Sequence, residues 1–473
     1  MNVNKSEPLR LSQWAHVFFK KGKNYFALYH SLNIETIFLE RKFIKLLSLF
    51  KIGTTIDFII NHFQFASREE MENVCNELLR MNILVPVLQN DKLLLSKKQQ
   101  KFAPSPGLET MYLIVTDECN LRCKYCFINN NMPSDYVCST MSWEVAKEAV
   151  DMYFYNISRN PPEYDDFLKM IIFYGGEPLL NFTLIKRIIL YIEEIYKAEL
   201  EKMGNSFRFS IVTNGTATSD EMAKFFGEHT NIDIAISLDG PKEINDKKRV
   251  FGDSHGSFDC IMKGYEKLRN IGGRKNIAVS CTIDSHNIDH LDELLKLQEV
   301  YGFSSINLNS LLDTEKEVVS KSYMVKVSKR MIEYFIVARE KGVYEDRIMR
   351  KANAFVEKEI HPYDCQAAGA QIVVSPDGQL GTCHEGIGAK KFFYGKVSRE
   401  FKFHENSVIK EWKMRTPLNM PQCWNCSALG ICGGGCTYGA WLRNGSIWSV
   451  DDRFCIHSLI TLKWLIWDLF ERL

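Results

Sequence analysis

From residue 110 onward six apolar runs recur, at 111–115, 170–174, 207–212, 232–238, 277–283 and 304–308, and stretches of helical periodicity such as 143–157 and 184–203 separate them. Strands that are apolar along their whole length need both faces covered. Where a helix follows each strand, the arrangement that achieves this is a parallel sheet wrapped by helices. Chemistry in such folds gathers at the carboxyl ends of the strands, so the residues just after each run are where a site is expected.

A chain of 473 residues has room for about three domains at roughly 150 residues each, and the flanks of the αβ region supply the other two. Residues 1–90 open with short β-type runs at 16–19, 25–29 and 36–39. Helical patterns follow at 41–50, 55–63 and 68–81, the last with Ser67 as N-cap and Glu69 and Glu70 in its first turn. This order predicts a winged-helix-like module. Residues 91–107, with Lys97, Lys98, Lys101 and the turn Pro104, Ser105, Pro106, Gly107, read as a linker. The αβ region then spans 108–345 and closes on a helical stretch at 322–340. Residues 346–473 form a third domain, rich in Cys and Gly from about Pro362 and ending in a helix at 459–473.

Lys plus Arg number 59 against 58 for Asp plus Glu, so no phosphate-attracting field is expected and nucleic acid is not an expected partner. The amino terminus lacks the apolar core of a secretion signal. The apolar stretch 459–470 is interrupted by Lys463 and Asp468 and falls short of the roughly 20 residues a bilayer requires. No membrane association and a cytoplasmic location are therefore expected. Fourteen Cys in such a chain point to metal binding or catalysis rather than to disulfides.

The thiols cluster. Directly after the first strand come Cys119, Cys123 and Cys126, with Tyr125 before the last. Three thiolates from one short loop leave one iron of a four-iron cluster open, while the same spacing also fits a partial zinc site. The second strand ends in Gly175, Gly176, Glu177 and Pro178, where missing side chains let backbone approach a small ligand or simply make a tight turn. The third ends in Thr213, Asn214 and Gly215 and the fourth in Ser237, Leu238, Asp239 and Gly240, so these polar ends share one rim.

Over about residues 110–340 the sequence resembles the radical S-adenosylmethionine (SAM) superfamily, on the Cys119, Cys123, Cys126 spacing and on Gly175 to Pro178. The resemblance implies a partial (β/α)6 barrel. It also implies a [4Fe–4S] cluster whose open iron chelates SAM, the reduced cluster splitting the sulfonium to a 5′-deoxyadenosyl radical. Gly175, Gly176, Glu177, Pro178, Thr213 and Asn214 would then line the SAM site. Ser237 would lie near the SAM carboxylate or ribose, or else be a strand-end turn residue.

Seven more Cys follow: Cys365, Cys383, Cys423, Cys426, Cys432, Cys436 and Cys455. In isolation they fit a pair of zinc sites. Their order, with Gly378 before Cys383, resembles the SPASM domain, which implies two auxiliary [4Fe–4S] clusters and three clusters in all. By that pattern Cys423, Cys426, Cys432 and Cys455 hold the outer cluster, and Cys365, Cys383 and Cys436 the inner one. Eight thiolates are wanted and seven are present. The inner cluster is therefore left either with an open iron, where a substrate Cys would be deprotonated, or with a non-thiolate ligand, for which His361, Asp364 and His384 are candidates. Cys75, Cys138, Cys260 and Cys281 read as ordinary thiols, and Trp424, Tyr438 and Trp441 as packing around a cluster.

The first 90 residues resemble, in strand and helix order, the peptide-recognition element of ribosomal-peptide maturases. There a leader peptide adds a strand beside the third strand, here near Ile37 to Leu39, and packs on the third helix, here near Met71 to Leu79. The alternative is a winged helix that binds DNA or only packs on the barrel. Glu69, Glu70, Glu72 and Glu77 on its candidate recognition helix should repel phosphate. The reading is a radical SAM maturase that modifies a ribosomally made precursor peptide, forming a thioether from a peptide Cys, and draws electrons from a reducing protein such as flavodoxin or ferredoxin. The runner-up is formylglycine formation in sulfatases, which does not need a module of this size before the barrel. A cluster-bearing binding or electron-transfer protein is disfavoured by the Gly175 to Pro178 turn beside the three-Cys loop. No residue is assigned as the catalytic base.

Overall fold

The computed structural model describes residues 5–102, 105–132, 136–311 and 319–473; Pro104 of the expected linker turn lies outside them. The six expected runs are strands β6 (Thr110–Thr116), β7 (Lys169–Gly175), β8 (Phe207–Thr213), β9 (Ile232–Ser237), β10 (Ile277–Ile283) and β11 (Ser305–Ser310), following β1 (Leu9–Leu11), β2 (Ala15–Phe19), β3 (Tyr25–His30), β4 (Glu35–Glu40) and β5 (Leu84–Pro86) in the front module. β6 to β11 pair in parallel in sequence order. Burial alternates along β8, β9 and β10. Phe207, Phe209 and Ile211 pack against Ile185, Ile188 and Ile189 of the covering helix Phe182–Ile195, while the other face carries smaller or polar residues such as Ser210, Ser237 and Ser280 and stays partly open. Only one face is fully sealed, which leaves room on the other.

The sheet does not end at β6. The Cys-rich region adds β12 (Gln371–Val374), which pairs in parallel with β6, and then antiparallel β13 (Gln379–Gly381) and β14 (Phe393–Lys396), making nine strands. The expected third domain is thus continuous with the barrel sheet. Residues 91–107 differ from the expected linker: Asp91–Lys101 is a helix capped by the Asn90 side chain. Its Leu95 is buried with Trp14, Tyr29 and Ile34 of the front module and with Leu418, Ile431, Leu462 and Trp467 of the Cys-rich region. The long helix expected over 184–203 is broken into Phe182–Ile195 and Lys197–Met203. The terminal helix starts earlier than expected, at Asp452, because Asp451 caps it, and this puts Cys455 in its first turn.

In the front module β2, β3 and β4 form an antiparallel sheet with β4 at one edge. Ser67 caps helix Arg68–Arg80 through a reciprocal pair of hydrogen bonds with Glu70. Met71, Cys75 and Leu78 of that helix are buried in the module's own core, and Val74 and Leu79 are partly buried. No helix among the described residues is long and apolar enough to cross a membrane.

Candidate active site

The loop after β6 is pinned from two sides. Its backbone bonds the segment after β9, with Arg122 N–H donating to Val250 O at 2.7 Å and Lys124 N–H to Lys248 O at 3.0 Å. The turn after β7 closes the other side: Gly176 N–H donates to Thr116 O at 2.9 Å and Glu177 N–H to Glu118 O at 2.8 Å. Gly175 has φ +151°, and a Cβ there would overlap Thr116 O, as one on Gly176 would overlap Glu118 O. The two glycines therefore serve close approach of backbone to the cysteine loop itself.

Glu177 locks this assembly to β8. Fully buried, its carboxylate accepts from Thr213 Oγ1 at 2.6 Å, Asn214 N at 2.7 Å and Leu179 N at 3.0 Å. Burial pushes its pKa up, and these donors oppose the rise. Asn214 reaches back with its side chain to Asn120 Oδ1 at 2.9 Å and to Cys119 Sγ at 3.8 Å. Pro178 starts the turn Pro178–Asn181, in which it and Leu179 are buried. Ser237 is the last residue of β9, in register with Ser280 of β10.

Sequence reasoning missed a buried ion pair beneath the loop. Arg249 Nε donates to Asp239 Oδ2 at 3.0 Å, Tyr125 OH donates to the same carboxylate, and Arg249 Nη1 lies 3.9 Å from Cys123 Sγ. Burial works against the Arg249 charge, yet Asp239 and the neighbouring Tyr125 and Cys123 hold it well above its usual range. The signal was the Ser237 to Gly240 strand end; its cationic partner ten residues on carried no motif.

Cys119 and Cys123 are pushed up to about 12 and about 11, first by burial. Among the described residues no three His, Cys, Asp or Glu side chains are arranged to hold a single metal ion. A four-iron cluster asks instead for thiolates each on its own iron. The donor chemistry fits one, since backbone N–H groups already face the sulfurs, as Leu121 N faces Cys119 Sγ at 3.4 Å, and such donors favour a thiolate.

The Cys-rich region brings its thiols into two groups. Cys423, Cys426, Cys432 and Cys455 lie in one another's fields, and burial followed by that mutual repulsion pushes Cys423 up to about 12. Cys365, Cys383 and Cys436 form the second group. Gly433, Gly434 and Gly435 all have positive φ, a run that turns the chain sharply between Cys432 of one group and Cys436 of the other. Buried Arg415, also absent from the sequence reading, donates to Gly434 O at 3.0 Å and Ser449 O at 2.9 Å and lies in the field of Cys436, Cys365, Cys423 and Cys432.

Cys383 is buried, whereas Cys365 has an exposed surface, although surrounding protein still desolvates its thiol and pushes it to about 11. Of the expected non-thiolate candidates, Asp364 is 3.6 Å from Lys351 and 3.9 Å from Arg347. His384 stacks on Tyr112 with centroids 4.5 Å apart. His361 has Nε2 buried without a partner. Tyr438 and Trp441 pack with Phe392 and Trp412, and Trp424 donates to Leu418 O. Cys75 and Cys281 are buried in cores.

Residues 113–297 match the family model of the radical SAM superfamily. The chain is 22% identical to the radical SAM cyclopropyl synthase TigE of Paramaledivibacter caminithermalis, over 98% of this chain and 96% of that one. It is 30% identical to a cysteine-type anaerobic sulfatase-maturating enzyme of Clostridium novyi over 42% of this chain and 50% of that enzyme. The crystal structure of Streptococcus suis SuiB bound to precursor peptide SuiA shares the fold at a TM-score of 0.52 and 15% identity, covering 94% of this chain and 99% of that chain.

Proposed function

Residues 113–297 are a radical SAM domain, and from that premise we propose that this protein is a maturase of a ribosomally made precursor peptide, forming a thioether from a peptide Cys. The family implies SAM and a [4Fe–4S] cluster, which together supply a 5′-deoxyadenosyl radical when bound. Cys119, Cys123 and Cys126 would hold that cluster. The Gly175 to Pro178 turn, Thr213, Asn214 and Ser237 would border SAM, with Glu177 fixing the turn to the loop. Cys423, Cys426, Cys432 and Cys455 would hold one auxiliary cluster, and Cys365, Cys383 and Cys436 part of another. A flavodoxin or ferredoxin would supply electrons, and the location would be cytoplasmic, without nucleic acid or membrane as partner.

The observation that carries the peptide reading is the outer edge of β4. β4 pairs only with β3 among the described strands, and an unpaired edge is a template for an added strand. Ile37 and Leu39 on β4 and Val74 and Leu79 on helix Arg68–Arg80 border the same apolar core. Full-length likeness to the cyclopropyl synthase TigE favours a second product, a carbon–carbon ring closure. Likeness to the sulfatase-maturating enzyme covers less than half of the chain.

Coexpression with each short Cys-bearing open reading frame beside the gene, followed by mass spectrometry, tests the proposal. Thioether formation removes two hydrogens and leaves one fewer Cys for alkylation. Loss of two hydrogens with every Cys still alkylatable would select ring closure, and a formylglycine in a sulfatase would select the remaining reading.

A further inference from the structure

The inner thiol group is one ligand short for a cluster whose four irons each take one. The geometry points to Glu385 as the fourth protein ligand of the inner auxiliary cluster, beside Cys365, Cys383 and Cys436; the inference rests on the auxiliary clusters proposed above. Glu385 sits in the short turn His384–Gly386 that directly follows Cys383. Its side chain therefore springs from the same turn that seats one thiol. Cys436 Sγ donates to Glu385 Oε2 at 3.9 Å, the one side-chain hydrogen bond the carboxylate makes among the described residues. Its charge acts on all three inner thiols, so the carboxylate is central to the group rather than attached to one member.

The other candidates are occupied elsewhere. Asp364 also acts on Cys365, but it is flanked by the two cations Lys351 and Arg347, and a carboxylate neutralised in this way is a weak donor to iron. His384 has its ring against Tyr112 and edge-on to Tyr174 and Phe127, a packing it would have to leave. His361 lies among Lys351, Asp364 and Arg350. A carboxylate oxygen is a hard donor that ferric iron accepts and, unlike a thiolate, exchanges readily. A substrate thiol could reach that iron only by displacing it.

The test is pulsed EPR on full-length protein grown with carbon-13-labelled glutamate and reconstituted anaerobically in the C119A/C123A/C126A background, which leaves only the auxiliary clusters. Expected is a carbon-13 coupling on one reduced auxiliary cluster that Glu385→Gln abolishes, while Glu385→Cys keeps the iron content and lacks the coupling. Auxiliary clusters present in the labelled background with no such coupling would overturn the assignment. Absence of auxiliary iron from that background, while the unmutated chain still loads the barrel cluster, would instead overturn the auxiliary-cluster reading beneath it.

Discussion

Glu177 shows how little of a motif's meaning lies in its letters. The Gly-Gly-Glu-Pro string marks the turn, yet its carboxylate is consumed by Thr213, Asn214 and Leu179, and its glycines by the backbone of the cysteine loop. Glu177→Gln keeps the shape but puts an amide hydrogen against one of three donors. We expect a loss of about 1–3 kcal/mol and weaker SAM binding, read by denaturation midpoint and by calorimetric titration of the reconstituted enzyme. Arg249 and Asp239 make a second residue-scale prediction. Arg249→Met strands a buried carboxylate, at about 3–5 kcal/mol, and adding Asp239→Asn should recover most of it. Equal midpoints for the single and double variants would contradict the pairing. The cysteine groupings were legible because close spacing along the chain itself brings thiols together. Arg249, Arg415 and Glu385 were not, because the contacts that give them a role are made by folding and leave no spacing to read.

Among elements, the six parallel strands were legible from apolar runs alone, since burial against helices leaves a pattern in sequence. Helix Asp91–Lys101 was missed because Lys and Gln dominate it and only Leu95 is buried. The pairing of β12 with β6 is long-range and leaves no local trace. Helix Trp143–Ile157 is tied to the Cys-rich region through Asp151, which accepts from Tyr191 and Tyr196 at 2.7 Å, from Lys147 at 2.8 Å and from Arg399. Although burial opposes ionisation, these donors hold Asp151 down to about 2. A depressed carboxylate stabilises above its unfolded pKa, roughly 4, and the contribution fades as pH falls toward the folded value. The midpoint gap between wild type and Asp151→Asn should therefore be constant from neutral pH down to about pH 5 and shrink below it; a gap that widens on acidification would contradict the assignment. At the proposed leader-docking face, Val74→Glu should weaken precursor binding about tenfold, ~1.4 kcal/mol, in a titration, with peptide-free SAM cleavage unchanged.

At the scale of the whole molecule the domains are not beads on a string. Trp14, Tyr29 and Ile34 share a core with Leu95, Leu418, Ile431 and Trp467, so removing residues 1–100 would expose the Cys-rich region's own apolar face. Truncation should lower stability as well as peptide affinity, and point variants on β4 and helix Arg68–Arg80 separate the two where deletion cannot. Composition and motif order suggest three regions and carry no sign of their fusion, because a shared core is built from residues that look like ordinary core in each part. The central claim is that one loop generates the radical while the Cys-rich region holds its own clusters. The most direct test is 5′-deoxyadenosine formation by the anaerobically reconstituted, reduced enzyme and by its C119A/C123A/C126A variant, with iron counted in both. The account predicts that the product disappears in the variant while auxiliary iron remains; undiminished 5′-deoxyadenosine from the variant would contradict it.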